Sequence, residues 1–225
     1  MFSTLRLLFG SEIESLDVAR GEFLEMLEIG REMFDTARAG VFDEALTAEQ
    51  RSEIYRLDRQ VNKLERSVRR RVLVAMHTGA NINAGVVLLH VVKDAERVGD
   101  YCKNIAEVRD YDPRSLGDTP SGKNLQVIMD EVAALFGAVG PVMVPDGAPD
   151  DAVSLLQTAR ELCKRCDQLL VRIAASDMDS SAVTAHVLMS RFTKRVAAHL
   201  SNILSAVVMP LHKIDYFDES ELDDA

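Results

Sequence analysis

The chain has 225 residues, a formal charge of −10, and 47% apolar residues with 5% aromatic and no Trp. An acidic surface of this size disfavours nucleic acid as a partner, because phosphate binding needs concentrated cations. Three cysteines, Cys102, Cys163 and Cys166, make no even disulfide framework. The opening Met1–Gly10 is too short for a secretory signal, and the apolar run Ala84–Val92 is far below the roughly 20 residues of a spanning helix. A reduced, cytoplasmic setting is expected.

Long proline-free stretches rich in Ala, Leu, Glu, Arg and Met favour helix over sheet, and six helices are expected. The first runs from Ile13 to Ala39, with Phe23, Met26, Leu27, Gly30, Phe34 and Ala37 on one side and Gly40 as its stop. The second opens at Thr47-Ala-Glu-Gln50, which has the capping-box form. It places Ile54, Leu57, Val61, Leu64, Val68 and Val72 at bundle spacing and ends near His77–Gly79. Near its end stand Arg66 and Arg69–Arg71, which suit a solvated helix C-terminus, or a dock for an acidic partner or an anionic membrane surface. The third spans Ala84 to Asp110, with Val91, Ala95, Val98, Cys102 and Ile105 in the same rhythm, and Asp112-Pro113 closes it.

Pro113–Gly122 reads as a linker. A fourth helix follows over Asn124–Val139, stopped by Gly140-Pro141, then a loop with Pro145, Gly147 and Pro149. The fifth covers Asp150–Ala175 and the sixth Ser180 to Met209. The expected fold is all-α, with two tandem, pseudo-symmetric three-helix bundles. The first occupies residues 1–112 and the second 123–217, with a linker over 113–122 and an acidic tail over 218–225. An internal duplication supports this plan. Residues 96–108 align with residues 194–206 at a constant offset of 98, matching Arg97 with Arg195, Val98 with Val196, Asn104 with Asn202 and Ile105 with Ile203.

Glu96, Asp100 and Glu107 lie within about 40° of one meridian on the third helix. Asp58, Asn62 and Glu65 flank the apolar stripe of the second. If the two helices pack antiparallel, these groups converge on the outer surface of the bundle. Carboxylates gathered in this way repel unless a cation compensates, and hard or borderline ions suit them. The plain alternative is an exposed acidic face with Lys103 and Arg69 as surface partners. Cys163-Lys-Arg-Cys166 is a lone Cys-x-x-Cys inside a helix, read as packing more readily than as a zinc or redox pair. The five histidines form no Glu-x-x-His, and neither a Gly-rich phosphate loop nor a serine-nucleophile elbow is present.

The stretch Asp94-Ala-Glu-Arg-Val-Gly-Asp-Tyr-Cys-Lys-Asn-Ile-Ala-Glu107 resembles the signature of the PhoU family of phosphate-transport regulators, and Leu57–Glu65 is similar to that family's preceding helix. The resemblance implies two three-helix bundles in pseudo-twofold relation, with carboxylate motifs that bind metal on the bundle surface. Glu96 and Asp100 match the third-helix motif, and Asp58 and Asn62 its second-helix counterpart. The metal is left open among Fe, Mn, Mg, Ca and Zn. The resemblance also implies a homodimer that regulates phosphate uptake and signalling without catalysis. It would contact a phosphate-transporter component and a sensor kinase, reaching the membrane only through such partners. In the second half, Lys194, Ala198 and Ser205 replace Glu96, Asp100 and Glu107, so any metal site is expected in the first bundle alone. A metal-dependent enzyme using the same carboxylates, or a ligand-free helical scaffold, are the alternative readings.

Overall fold

The computed structural model describes residues 14–144 and 147–215. Six α-helices follow in order, α1 Glu14–Phe42, α2 Ala48–His77, α3 Ile82–Ala106, α4 Pro120–Val142, α5 Pro149–Ala174 and α6 Ser180–Val208, with no strand among the described residues. The all-α expectation holds. The readings of Met1–Gly10, of the helix start at Ile13, of Pro145 and of the acidic tail from Asp218 lie outside the described residues.

The periodic seams are the buried ones. Phe23, Met26, Phe34 and Ala37 on α1 are buried, as are Ile54, Leu57, Val61, Val68 and Val72 on α2 and Val91, Ala95, Val98, Cys102 and Ile105 on α3. Spacing by threes and fours gathers these side chains on one face, and burying that face outweighs the modest helix propensity of so many valines. Thr47 caps α2 as a full capping box, with the Gln50 N–H donating to Thr47 Oγ1 at 3.2 Å and the Thr47 N–H to Gln50 Oε1 at 2.9 Å. Gly79, at φ 97, takes the left-handed turn between α2 and α3.

Several helix ends differ from expectation for local reasons. Helix α1 runs through Gly40 to Phe42, because that glycine makes room for a neighbour rather than ending the helix. A Cβ there would lie 2.3 Å from Leu46 Cγ. Helix α4 passes Gly140-Pro141, since a proline in the last turn forfeits only its own N–H bond, and the Met143 N–H then closes on the Gly140 carbonyl at 3.0 Å. The same helix starts at Pro120 rather than Asn124, with Thr119 Oγ1 accepting from the Gly122 N–H at 2.9 Å. Helix α3 ends at Ala106, and a 3-10 turn over Val108–Asp110 completes the expected segment.

The stretch read as a linker is anchored at several points. Leu116 is buried in a second 3-10 turn. Arg109 donates to the carbonyls of Val41, Asp43 and Pro113, and Ser115 Oγ to that of Phe42 at 2.8 Å. Arg114 bridges buried Asp112 and the α6 N-cap Asp179.

Helices α1–α3 pack on one another, as do α4–α6, and the two triplets meet through α3 on α6 and α1 on α4. These are the pairings that a twofold exchanging the halves produces. The α3–α6 crossing is antiparallel, pairing Asp94 with Asn202 and Tyr101 with Arg195. Phe34 and Phe136 tilt together at 6.3 Å between α1 and α4, and the buried residues form one continuous core. Helix α4 is the described helix long and apolar enough to cross a membrane, a feature hidden in the sequence because Asp130 and Glu131 interrupt the run. Leu125, Met129, Val132 and Val139 spend its apolar face on the core.

Candidate functional site

The antiparallel packing of α2 and α3 brings five of the six candidate ligands into one groove, in two clusters. At one end, Lys103 Nζ lies 3.0 Å from Asp58 Oδ1 and 3.0 Å from Asp100 Oδ1. Asn62 Nδ2 donates to the other Asp58 oxygen at 3.2 Å, and Arg97 reaches Asp100 Oδ2 at 3.3 Å. At the other end, Lys93 Nζ donates to Glu96 Oε2 at 2.7 Å and stands 3.7 Å from Glu65 Oε1. Arg69 comes within 2.9 Å of that same oxygen. The sixth candidate, Glu107, lies beyond these clusters and accepts from the Tyr55 hydroxyl. That contact raises the Tyr55 pKa, chiefly through the hydrogen bond.

The groove is less exposed than an outer surface. Asp58 and Glu65 are buried at 8% and 7% exposure, while Asn62, Glu96, Asp100 and Glu107 are half-buried. Four carboxylates (Asp58, Glu65, Glu96, Asp100) face four cations (Arg69, Lys93, Arg97, Lys103), so the groove is neutral as folded. Burial pulls the Lys103 pKa down, but its hydrogen bonds to Asp58 and Asp100 outweigh that, and the net shift is upward. Lysine and arginine side chains therefore compensate the carboxylates, with Lys103 and Arg69 among them as in the plain alternative to a metal.

The compensation is uneven. Glu65 Oε1 is buried and, despite its two nearby cations, has no aligned hydrogen bond. Lys93, with 42% of its side chain exposed, is the looser of the two lysines, and Lys103 has 21%. An unsatisfied buried carboxylate oxygen beside a half-buried glutamate fits a hard, oxygen-liganded cation. The Glu65–Glu96 end suits such an ion better than the Asp58–Asp100 end, which Lys103 closes.

The second half lacks a matching carboxylate face. Lys194 pairs with Asp167 at 2.5 Å, Ala198 carries no ligand atom, and the Cys163 thiol donates to the Lys194 carbonyl at 3.6 Å. Cys166 is buried, and burial pushes its pKa up to about 12, which disfavours the reactive thiolate. Cys163, Asp167, Lys194 and Ala198 line a cavity of about 330 Å³ with Arg160 and Lys164.

Sequence reasoning missed one further cluster. His90, Asp94 and Asp215 converge where α3 crosses α6. The four-residue step from His90 to Asp94 was a visible signal, whereas Asp215 is 125 residues from His90 and only the fold reveals it.

Residues 23–108 match the model of the PhoU domain. The fold is similar to the crystal structure of the phosphate transport system regulatory protein PhoU from Streptococcus pneumoniae, with a TM-score of 0.74, 14% identity, and coverage of 88% of this chain and 94% of that one. It is also similar to PhoU from Pseudomonas aeruginosa, with a TM-score of 0.66, 18% identity, and coverage of 86% and 95%. Among curated proteins none matches the chain in sequence. The stretch that matches the PhoU domain holds every residue of the α2–α3 groove, and the fold is similar to these two structures along most of the chain.

Proposed function

We propose that this chain regulates phosphate transport and phosphate signalling by docking onto other proteins rather than by turning over a substrate. The observation that carries this is the PhoU domain over residues 23–108, set in a fold shared with a phosphate transport system regulatory protein. The partners are a phosphate-transporter component and a sensor kinase, met at the cytoplasmic side, and the chain acts as a homodimer. A docking surface is at hand around the α2–α3 turn. Leu73, Val74, Ile82 and Val86 are exposed there at 62%, 54%, 61% and 38%, on the stretch that also carries Arg66 and Arg70. Exposed large apolar groups beside cations suit a partner surface with an apolar centre and an acidic rim.

Metal binding in the α2–α3 groove belongs to the same reading. Glu65 and Glu96 would hold a divalent ion such as Mn²⁺, with Asp58, Asn62 and Asp100 nearby and Lys93 giving way. The ion would supply charge compensation and lock the two helices together.

The test is direct binding of the purified protein to the transporter component and to the sensor kinase of the same organism. Wild type is expected to bind at least one of them, and Leu73→Asp/Val74→Asp to lose that binding while keeping its helical spectrum. Failure to bind either partner contradicts the proposal. Light scattering is expected to give twice the chain mass of 24.9 kDa.

A further inference from the structure

A second constellation of ligand groups stands apart from the α2–α3 groove, at the joint between the two helical triplets. His90 and Asp94 are four residues apart on α3 and so share a helix face. The turn after the 3-10 helix Leu211–Lys213 brings Asp215 back to them. His90 Nε2 and Asp215 Oδ2 are 2.7 Å apart, and one ligand atom from each of His90, Asp94 and Asp215 lies within 4.8 Å of the others. Asp94 is buried at 7% exposure.

We propose that His90, Asp94 and Asp215 form a binding site for one divalent transition-metal ion of the zinc or manganese type. The donor set is one imidazole with two carboxylates, which suits such borderline ions better than soft ones. In a tetrahedral site with bonds near 2.0 Å, neighbouring ligand atoms stand about 3.3 Å apart. The 2.7 Å contact between His90 and Asp215 needs to open by only about half an ångström to admit the ion.

The surroundings hold these ligands in place. Both hydrogen bonds accepted by Asp94, from His199 Nδ1 at 2.7 Å and Asn202 Nδ2 at 3.0 Å, end on Oδ1, so Oδ2 is the oxygen left for a metal. The Asp215 N–H donates to Ser205 Oγ at 3.0 Å, which fixes the backbone that carries the third ligand. Partners of this kind set the orientation of metal ligands. Asp215 also lines the cavity of about 330 Å³ beside Asn202 and Ser205, which gives an entry path and room for a water ligand. Ion pairing alone also accounts for the His90–Asp215 contact, and the experiment separates the two.

The test uses full-length protein freed of metal by EDTA, titrated with Zn²⁺ by calorimetry and with Co²⁺ by absorption near neutral pH. The Glu65→Gln/Glu96→Gln variant removes the α2–α3 groove as a competitor and is expected to bind one Zn²⁺ per chain. Adding Asp215→Asn, and separately His90→Gln, is expected to weaken that binding at least about tenfold. Asp215 sits exposed on a turn, so its variant leaves the fold intact, as circular dichroism will verify. The wild-type Co²⁺ spectrum is expected to show the intense bands of a low-coordinate site. Zn²⁺ binding that is absent, or untouched by both substitutions, overturns the proposal, as does a Co²⁺ spectrum like that of the hydrated ion. A groove that fails to bind Mn²⁺ leaves this result unaffected, so the two metal readings fail separately.

Discussion

Glu65 and Glu96 face each other across the α2–α3 groove with the ammonium of Lys93 beside both, 2.7 Å from Glu96 and 3.7 Å from Glu65. One part-exposed cation thus serves two carboxylates, and it stands farther from Glu65. Replacing Lys93 with Ala is expected to raise Mn²⁺ affinity about tenfold, since the ion no longer competes with a tethered charge. Glu65→Gln is expected to abolish binding at this groove. Calorimetry on the two variants checks both, and unchanged affinity in Lys93→Ala contradicts the competition.

Lys103 plays the opposite part. It holds buried Asp58 and half-buried Asp100 at 3.0 Å each. Lys103→Met strands a buried carboxylate, at an expected cost of about 1.5–3 kcal/mol. Urea unfolding with an unchanged m-value would report it.

Gly122 lies in the first turn of α4 with the Leu116 carbonyl against it, and a Cβ there would fall 1.5 Å from that oxygen. No rotamer change relieves a contact between Cβ and backbone. Gly122→Ala is therefore expected to destabilise by about 1–3 kcal/mol, although alanine is the better helix former. A gain in stability on thermal melting would contradict this account of the joint.

The Arg114 clasp has a pH signature. Its hydrogen bonds lower the pKa of Asp112 and hold that of Asp179 at about 2. A carboxylate whose folded pKa lies below its unfolded value of about 3.9 stabilises the protein above that value, and the contribution is lost as pH falls toward the folded pKa. Arg114→Ala is expected to move the Asp179 titration up toward the ordinary range in carboxyl NMR and to raise the pH of acid unfolding. An unmoved Asp179 titration would contradict the clasp.

Phe136 packs from α4 onto Phe34 of α1, and a Cβ on Gly30 would come within 3.1 Å of its ring. Phe136→Ala removes this aromatic contact between the helices and is expected to cost about 3–5 kcal/mol. Chemical denaturation measures it.

Much of the fold was legible because the seams of α1, α2 and α3 alternate by threes and fours without interruption, and because Thr47 and Gln50 form a local signal. Glycine was the misleading letter. Gly40 read as a stop and Gly122 as linker, yet both are demanded by neighbours (Leu46 and Leu116) that only the folded chain brings near. The carboxylates of the groove were legible by helical phase. Their burial was not, since it depends on the register of α2 against α3. That register also sets which lysine reaches which acid. His90, Asp94 and Asp215 come from one helix and a distant turn, so no window of sequence contains the cluster.

The central proposal is that this chain, with its match to the PhoU domain over residues 23–108, restrains phosphate transport. The most direct measurement is phosphate uptake by cells of the source organism with the gene deleted, grown in ample phosphate. Uptake is expected to rise above wild type and to return to normal with the intact chain, but not with Leu73→Asp/Val74→Asp. Uptake indistinguishable from wild type in the deletion strain would contradict the account.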